Sequence, residues 1–162
     1  MVSDMMNVHL IKAEEEQAGL IWQMQIASFA KLYEKYRDTQ TSPGAEPLEK
    51  VLERFRQPFT QYYLIEWNNR IAGAVRVADQ RQSGKLKRIS PIFVLPEYQK
   101  RGIAQAAIAE VEKLHGSDGW ELETILEEPG LCHLYEKAGY VRTGRTEKLN
   151  EHTTLVFYQK NV

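Results

Sequence analysis

The chain has 162 residues, 43% of them hydrophobic and 27% charged, with a formal net charge of -1. That length and apolar content suit one domain around one core, read as spanning residues 1–162, and the charge balance argues against a general nucleic-acid or membrane-surface binder. A single cysteine, Cys132, cannot close an internal disulfide, and no apolar run near Met1 resembles a signal peptide, so a reducing cytoplasmic setting is expected.

In chain order, Val8 to Ile11 reads as a short strand, and Leu20, Ile21, Met24 and Ala27 recur at helical spacing, with Leu32 and Tyr36 on a second helical piece. "DTQTSPGAEP", Asp38 to Pro47, is a loop. Pro47 suits the start of a helix presenting Leu48, Val51, Leu52 and Phe55, and Pro58 stops it. "QYYLIEW" and "IAGAVRVA" flank Asn68, Asn69 and Arg70 as a β-hairpin. A third strand runs from Lys85 towards Leu95, and Pro91 inside it cannot donate a ladder hydrogen bond, so a bulge or splay is expected there.

Pro96 biases Leu95 towards extended backbone and ends that strand, and a helix follows with Ile103, Ala107, Ile108, Val111 and Leu114 on one face and Gly116 as its cap. "WELETIL" is a further strand. Leu131, Leu134, Tyr135 and Ala138 mark a short helix ended by Gly139, before a final pair, "YVRTGRT" and "TTLVFYQ", whose last strand reads equally as an edge that pairs with a second subunit in a homodimer or as one covered internally. Early alternation of helices and strands with a closing hairpin gives an α/β fold: a mixed, mostly antiparallel sheet of six to seven strands flanked by helices.

The turn from Gln99 through Lys100, Arg101, Gly102 and Ile103 to Ala104 carries the chemistry. Gly102 lets backbone approach a ligand closely, and the first amides of the helix have no partners inside it. With the macrodipole and two cations, those donors suit an anion. A solvated basic pair at a helix start has the same composition. Neither GxxxxGK[ST] nor GxGxxG is present.

Gln99 to Ala104, the lead-in "VLPEYQ" and the later "LYEKAGY" together resemble the signatures of the GNAT superfamily of N-acetyltransferases, over most of Tyr62 to Tyr158. The resemblance implies a single GNAT-like domain splayed near Pro91. It implies an enzyme that moves acetyl from acetyl-CoA to a primary amine, with no metal. Gln99, Lys100, Arg101, Gly102, Ile103 and Ala104 would then hold the pyrophosphate, and Phe93, Val94 and Leu95 would line the cofactor. Tyr135 would occupy the general-acid position, though the same residue reads as a core tyrosine on a helix face.

An alkyl amine with pKa near ~10.4 loses its proton at neutral pH at a cost of about 4–5 kcal/mol, so a base or a water chain is needed. Glu123 matches the carboxylate base of one branch of the family, with Glu127, Glu128 and His133 in reserve; a solvated strand face explains Glu123 as well. Backbone amides freed near Phe93 and Val94 suit the developing oxyanion. Full proton transfer from a phenol of pKa ~10 to a thiolate of ~8.5 is uphill by about 2 kcal/mol, favouring hydrogen bonding before release.

Where the family often carries Asn, seven residues before Tyr135, this chain has Glu128, which turns either to the cofactor or to the acceptor. Tyr33, Tyr36 and Glu128 are the acceptor-binding candidates, and Glu121, Glu123, Glu127 and Glu128 suggest a mouth for a cationic amine, small or peptide-borne. Cys132 reads as a small buried thiol, and direct transfer is favoured over a covalent intermediate on it. The alternative class is a non-catalytic acyl-CoA-binding regulatory domain, for which Glu128 is the one sign.

Overall fold

A computed structural model describes residues 7–162; residues 1–6, on which the expectation of no leader partly rests, lie outside them. The strands are β1 (Val8–Lys12), β2 (Thr60–Trp67), β3 (Arg70–Ala78), β4 (Lys87–Val94), β5 (Trp120–Ile125), β6 (Val141–Lys148) and β7 (Thr154–Lys160). The helices are α1 (Ala18–Tyr36), α2 (Leu48–Arg56), α3 (Ile103–His115) and α4 (Pro129–Lys137). One seven-stranded sheet has the order β1-β2-β3-β4-β5-β7-β6, antiparallel except for β4 beside β5.

Both faces of the sheet are buried. On one, α1 and α2 bring Ile21, Met24 and Val51 against Tyr62, Leu64, Ala74 and Phe93. On the other, Ile108 and Val111 of α3 and Cys132 and Tyr135 of α4 pack with Ile65, Val75, Trp120 and Tyr158. Each fully buried Val, Leu or Ile contributes about 1.5–3 kcal/mol, which the sheet's apolar alternation collects on both sides.

Local chemistry sets the elements. Asn68 and Asn69 both take left-handed backbone, φ 49° and 66°, forming the two-residue loop between paired Trp67 and Arg70. The expected second helical piece does not exist: Leu32 and Tyr36 lie on the same unbroken α1, because no proline or glycine interrupts it beyond Gly19, and Arg37 ends it in left-handed backbone. The last strand, β7, is not an edge. It is paired on both sides, by β5 and β6, and the exposed edge is β6.

Two features open the sheet. Val75 faces Ile92 while Val77 faces Ile89, so Ser90 and Pro91 form an extra step on β4. The Arg76 guanidinium donates to the Ser90 carbonyl at 2.5 Å and holds that step in place. In addition, β4 and β5 pair only through Lys87 with Trp120 and Arg88 with Glu121, and then diverge. The expected splay near Pro91 is present. On its other side β4 lies close to β3: a Cβ on Gly73 would sit 2.0 Å from the Phe93 carbonyl oxygen.

Candidate active site at the strand splay

Two cavities meet where β4 and β5 part. The larger, about 520 Å³, runs from Phe93 and Val94 to the turn, where Gln99, Lys100, Gly102, Ile103 and Ala104 line it. Gly102 caps α3 with φ 79°, and Lys100 is also left-handed at φ 65°. This double reversal lifts the chain over the start of α3, where the amides after Gly102 have no acceptor within the helix. A Cβ at Gly102 would meet nothing within 4 Å, so glycine is favoured there by its left-handed backbone and not by crowding.

The Gln99 side chain donates to the Val94 carbonyl at 2.8 Å, tying the turn to the strand. Two of the expected cofactor residues are elsewhere. Arg101 lies over the Trp67 ring at 5.4 Å and braces the turn from outside, and the Leu95 amide donates to Ala72; neither lines the cavity.

This cavity fits a coenzyme A thioester on three counts. Free helical amides and Lys100 suit its diphosphate, the β5-facing backbone of β4 beyond Arg88 is without a strand partner for its amide-bearing arm, and one cavity borders both Phe93 and Val94 of that strand and the turn.

The smaller cavity, about 210 Å³, lies across the splay, lined by Tyr36 of α1, by Asp38, Thr41 and Ser42 of the loop after it, by Glu123 and Ile125 of β5, and by Leu149 and Leu155 of the last hairpin. Tyr135 lines both cavities. Burial pushes its phenol above the ordinary tyrosine range, and the charge of Glu123 adds to the shift, so the hydroxyl keeps its proton at neutral pH.

The candidate base is already engaged. Arg88 Nη2 donates to both carboxylate oxygens of Glu123, at 2.5 and 2.6 Å. Arg88 was not found from the sequence, since its nearness to Glu123 depends on β4 and β5 being neighbours. Glu128 lines the larger cavity and accepts from Lys35 Nζ at 2.7 Å and Tyr36 Oη at 2.5 Å. Burial works to raise its carboxyl pKa, and these two donors outweigh burial and hold it below the usual range. Tyr33 lines neither cavity; its Cβ packs against Gly44, where an added Cβ would lie 2.9 Å away.

Glu127 accepts from the Thr154 amide and hydroxyl, both at 2.8 Å, and closes β5 onto β7. His133 is exposed and lines neither cavity. Cys132 is buried with its thiol 3.6 Å from the Ile125 carbonyl, a packing position. Among the described residues no helix is long and apolar enough to cross a membrane.

The family model described as Acetyltransferase (GNAT) family matches residues 29–140, which contain the turn, the splay and Tyr135. No curated protein sequence matches the chain. Among solved structures, a spermidine N-acetyltransferase SpeG chimera from Vibrio cholerae and hSSAT aligns with TM-score 0.73 at 17% identity, over 96% of this chain and 95% of that one. A microcin C7 self-immunity acetyltransferase in complex with acetyl-CoA and AMP aligns with TM-score 0.71 at 14% identity, over 96% and 93%. An acetyltransferase from Thermus thermophilus gives 0.69 at 14% identity, over 96% and 97%. At these identities the likeness is one of fold.

Proposed function

The chain belongs to the GNAT acetyltransferase family, and on that premise we propose that it transfers acetyl from acetyl-CoA to a primary amine by direct attack, with Tyr135 as general acid. The observation that carries this reading is the place of Tyr135: a protonated phenol in the wall between a cavity suited to the coenzyme and a second cavity with room for a small amine.

Acetyl-CoA would supply the activated carbonyl carbon. In the transfer, the amine nitrogen bonds to that carbon, the carbon–sulfur bond breaks with its electron pair on sulfur, and one nitrogen proton leaves. Glu123 is the proposed acceptor of that proton, directly or through water, and Arg88 fixes the direction of its carboxylate. Tyr135 hydrogen-bonds the departing sulfur, which takes its proton from the phenol or from solvent. Amides after Gly102 hold the diphosphate, and the unpaired backbone near Phe93 and Val94 receives the oxyanion.

Glu128 is assigned to the boundary between the two ligands: through Lys35 and Tyr36 it pins the end of α1 over the splay. Tyr36 then contributes to the acceptor wall. Incubation of the protein with acetyl-CoA and an amine panel, following free thiol, tests the proposal. Amine-dependent thiol release is expected; tight acetyl-CoA binding with no release for any amine would favour the regulatory acyl-CoA-binding alternative.

A further inference from the structure

The sequence carries four glutamates around one strand end, a pattern that suits a cationic amine, and in the structure three of the four carboxylates already accept from internal donors. Glu123 is taken by Arg88, Glu127 by Thr154, and Glu128 by Lys35 and Tyr36. Glu121 faces Arg88 at 3.8 Å and does not line the acceptor cavity. A carboxylate whose oxygens already serve internal donors has little left for a second ammonium.

What remains in the smaller cavity is one unmatched charge. Among the described residues Asp38 and Glu123 are its acidic lining, and no Lys, Arg or His lines it. Arg88 offsets Glu123. Asp38 has four neutral donors, the Gln40 and Thr41 amides, the Thr41 hydroxyl and Asn150 Nδ2, so it keeps its charge while its acceptor positions are filled. Such a wall attracts one positive charge through its field, has no free acceptor to pair directly with an additional ammonium, and has no cation for a carboxylate.

Size and polarity point the same way. Over half of the lining residues are Phe, Leu, Ile or Pro, and the volume of about 210 Å³ lies below the roughly 300–1,000 Å³ common for drug-sized ligands. An extended triamine would have to desolvate a distal ammonium against Ile89, Ile125 or Leu155, at a cost with no compensating ion pair.

Resting on the acyl-transfer reading above, we propose that the acceptor is a compact monoamine whose body is apolar and uncharged, of the size of a branched alkylamine or a small arylalkylamine. Polyamines and free amino acids are discriminated against by the same wall, the first for their extra cations and the second for their carboxylate.

The test compares kcat/KM of the full-length protein, by thiol release from acetyl-CoA at fixed pH, for 3-methylbutylamine, 2-phenylethylamine, 1,5-diaminopentane, spermidine and leucine. The two apolar monoamines are expected to exceed the diamine, spermidine and leucine by tenfold or more. A value for the diamine or spermidine equal to or above those of the monoamines overturns this inference and leaves acyl transfer standing. Leucine at or above the monoamines does the same. No release with any of the five, while a wider panel that includes peptide amines does release thiol, overturns this inference and leaves acyl transfer standing; no release with any amine, while acetyl-CoA still binds, overturns both.

Discussion

Arg88 and Glu123 face each other across two strands at the point where those strands separate, two hydrogen bonds of 2.5 and 2.6 Å closing the gap that widens beyond them. The pair is partly solvent-exposed, so its direct contribution to stability is small, about 0–1 kcal/mol. Its larger effect is on aim. Arg88→Gln is expected to leave the melting temperature nearly unchanged and to lower kcat about tenfold with little change in the KM for acetyl-CoA, as Glu123 loses a fixed orientation. Glu123→Gln is expected to lower kcat/KM for the amine by about 10²-fold or more. Steady-state kinetics on both variants check this, and a Glu123→Gln enzyme of unchanged kcat/KM would assign the proton to water alone.

Tyr135→Phe removes one oxygen from a wall that otherwise keeps its shape. Turnover is expected to fall by about 10²-fold, the usual scale for a positioned acid, while acetyl-CoA affinity by calorimetry stays within about twofold. An unaltered turnover number would take Tyr135 out of the chemistry and return it to the core.

Gly73 and Gly102 are both glycines for structural reasons, but different ones. Gly73→Ala places a methyl 2.0 Å from the Phe93 carbonyl oxygen, and the backbone of β4 must move to admit it. A loss of about 1–3 kcal/mol or more is expected, together with weaker acetyl-CoA binding, because the displaced strand forms the cavity wall. Gly102→Ala has free space and pays only for left-handed backbone, roughly 1–2 kcal/mol. Chemical denaturation of the two variants measures the difference.

Burial pushes four phenols above the ordinary value of about 10: Tyr62 and Tyr63 on β2, Tyr135 on α4, and Tyr140 just before β6. A group whose pKa is higher in the folded state stabilises it fully below the unfolded value, and that stability drains away as pH rises towards the folded value. The melting temperature is therefore expected to fall from about pH 10 upward, and the part of the phenolate absorbance that these four contribute should rise together with unfolding. Ionisation of all eight tyrosines in the folded protein at pH 11 would contradict this assignment.

Much of this was legible in the chain. Pro91 inside a strand, Gly102 after two cations, and Tyr135 four residues before Gly139 are local features, and local features have local outcomes: a bulge, an anion-suited turn, a tyrosine at a helix end. The fold class followed from the alternation of elements. Arg88 was hidden because its partner lies 35 positions away and is joined to it by the parallel pairing of β4 with β5, which no periodicity reveals. The single helix α1 was hidden for another reason: Lys31, Glu34 and Lys35 blur the apolar face of its C-terminal half, which borders the cavities, whereas Ile21 and Met24 of its first half pack into the core. The glutamates were legible only as charge, since a sequence displays that and conceals the donors that meet it.

Phe29, Leu32, Ile92, Leu131 and Tyr135 each border both cavities, so one thin partition serves two chambers. Any shift of those side chains on filling one chamber alters the fit of the other, and thermodynamic reciprocity makes the change in affinity equal in both directions. Occupants of such adjoining rooms are felt through the wall, and initial-rate lines drawn against either substrate should intersect at a common point instead of running parallel.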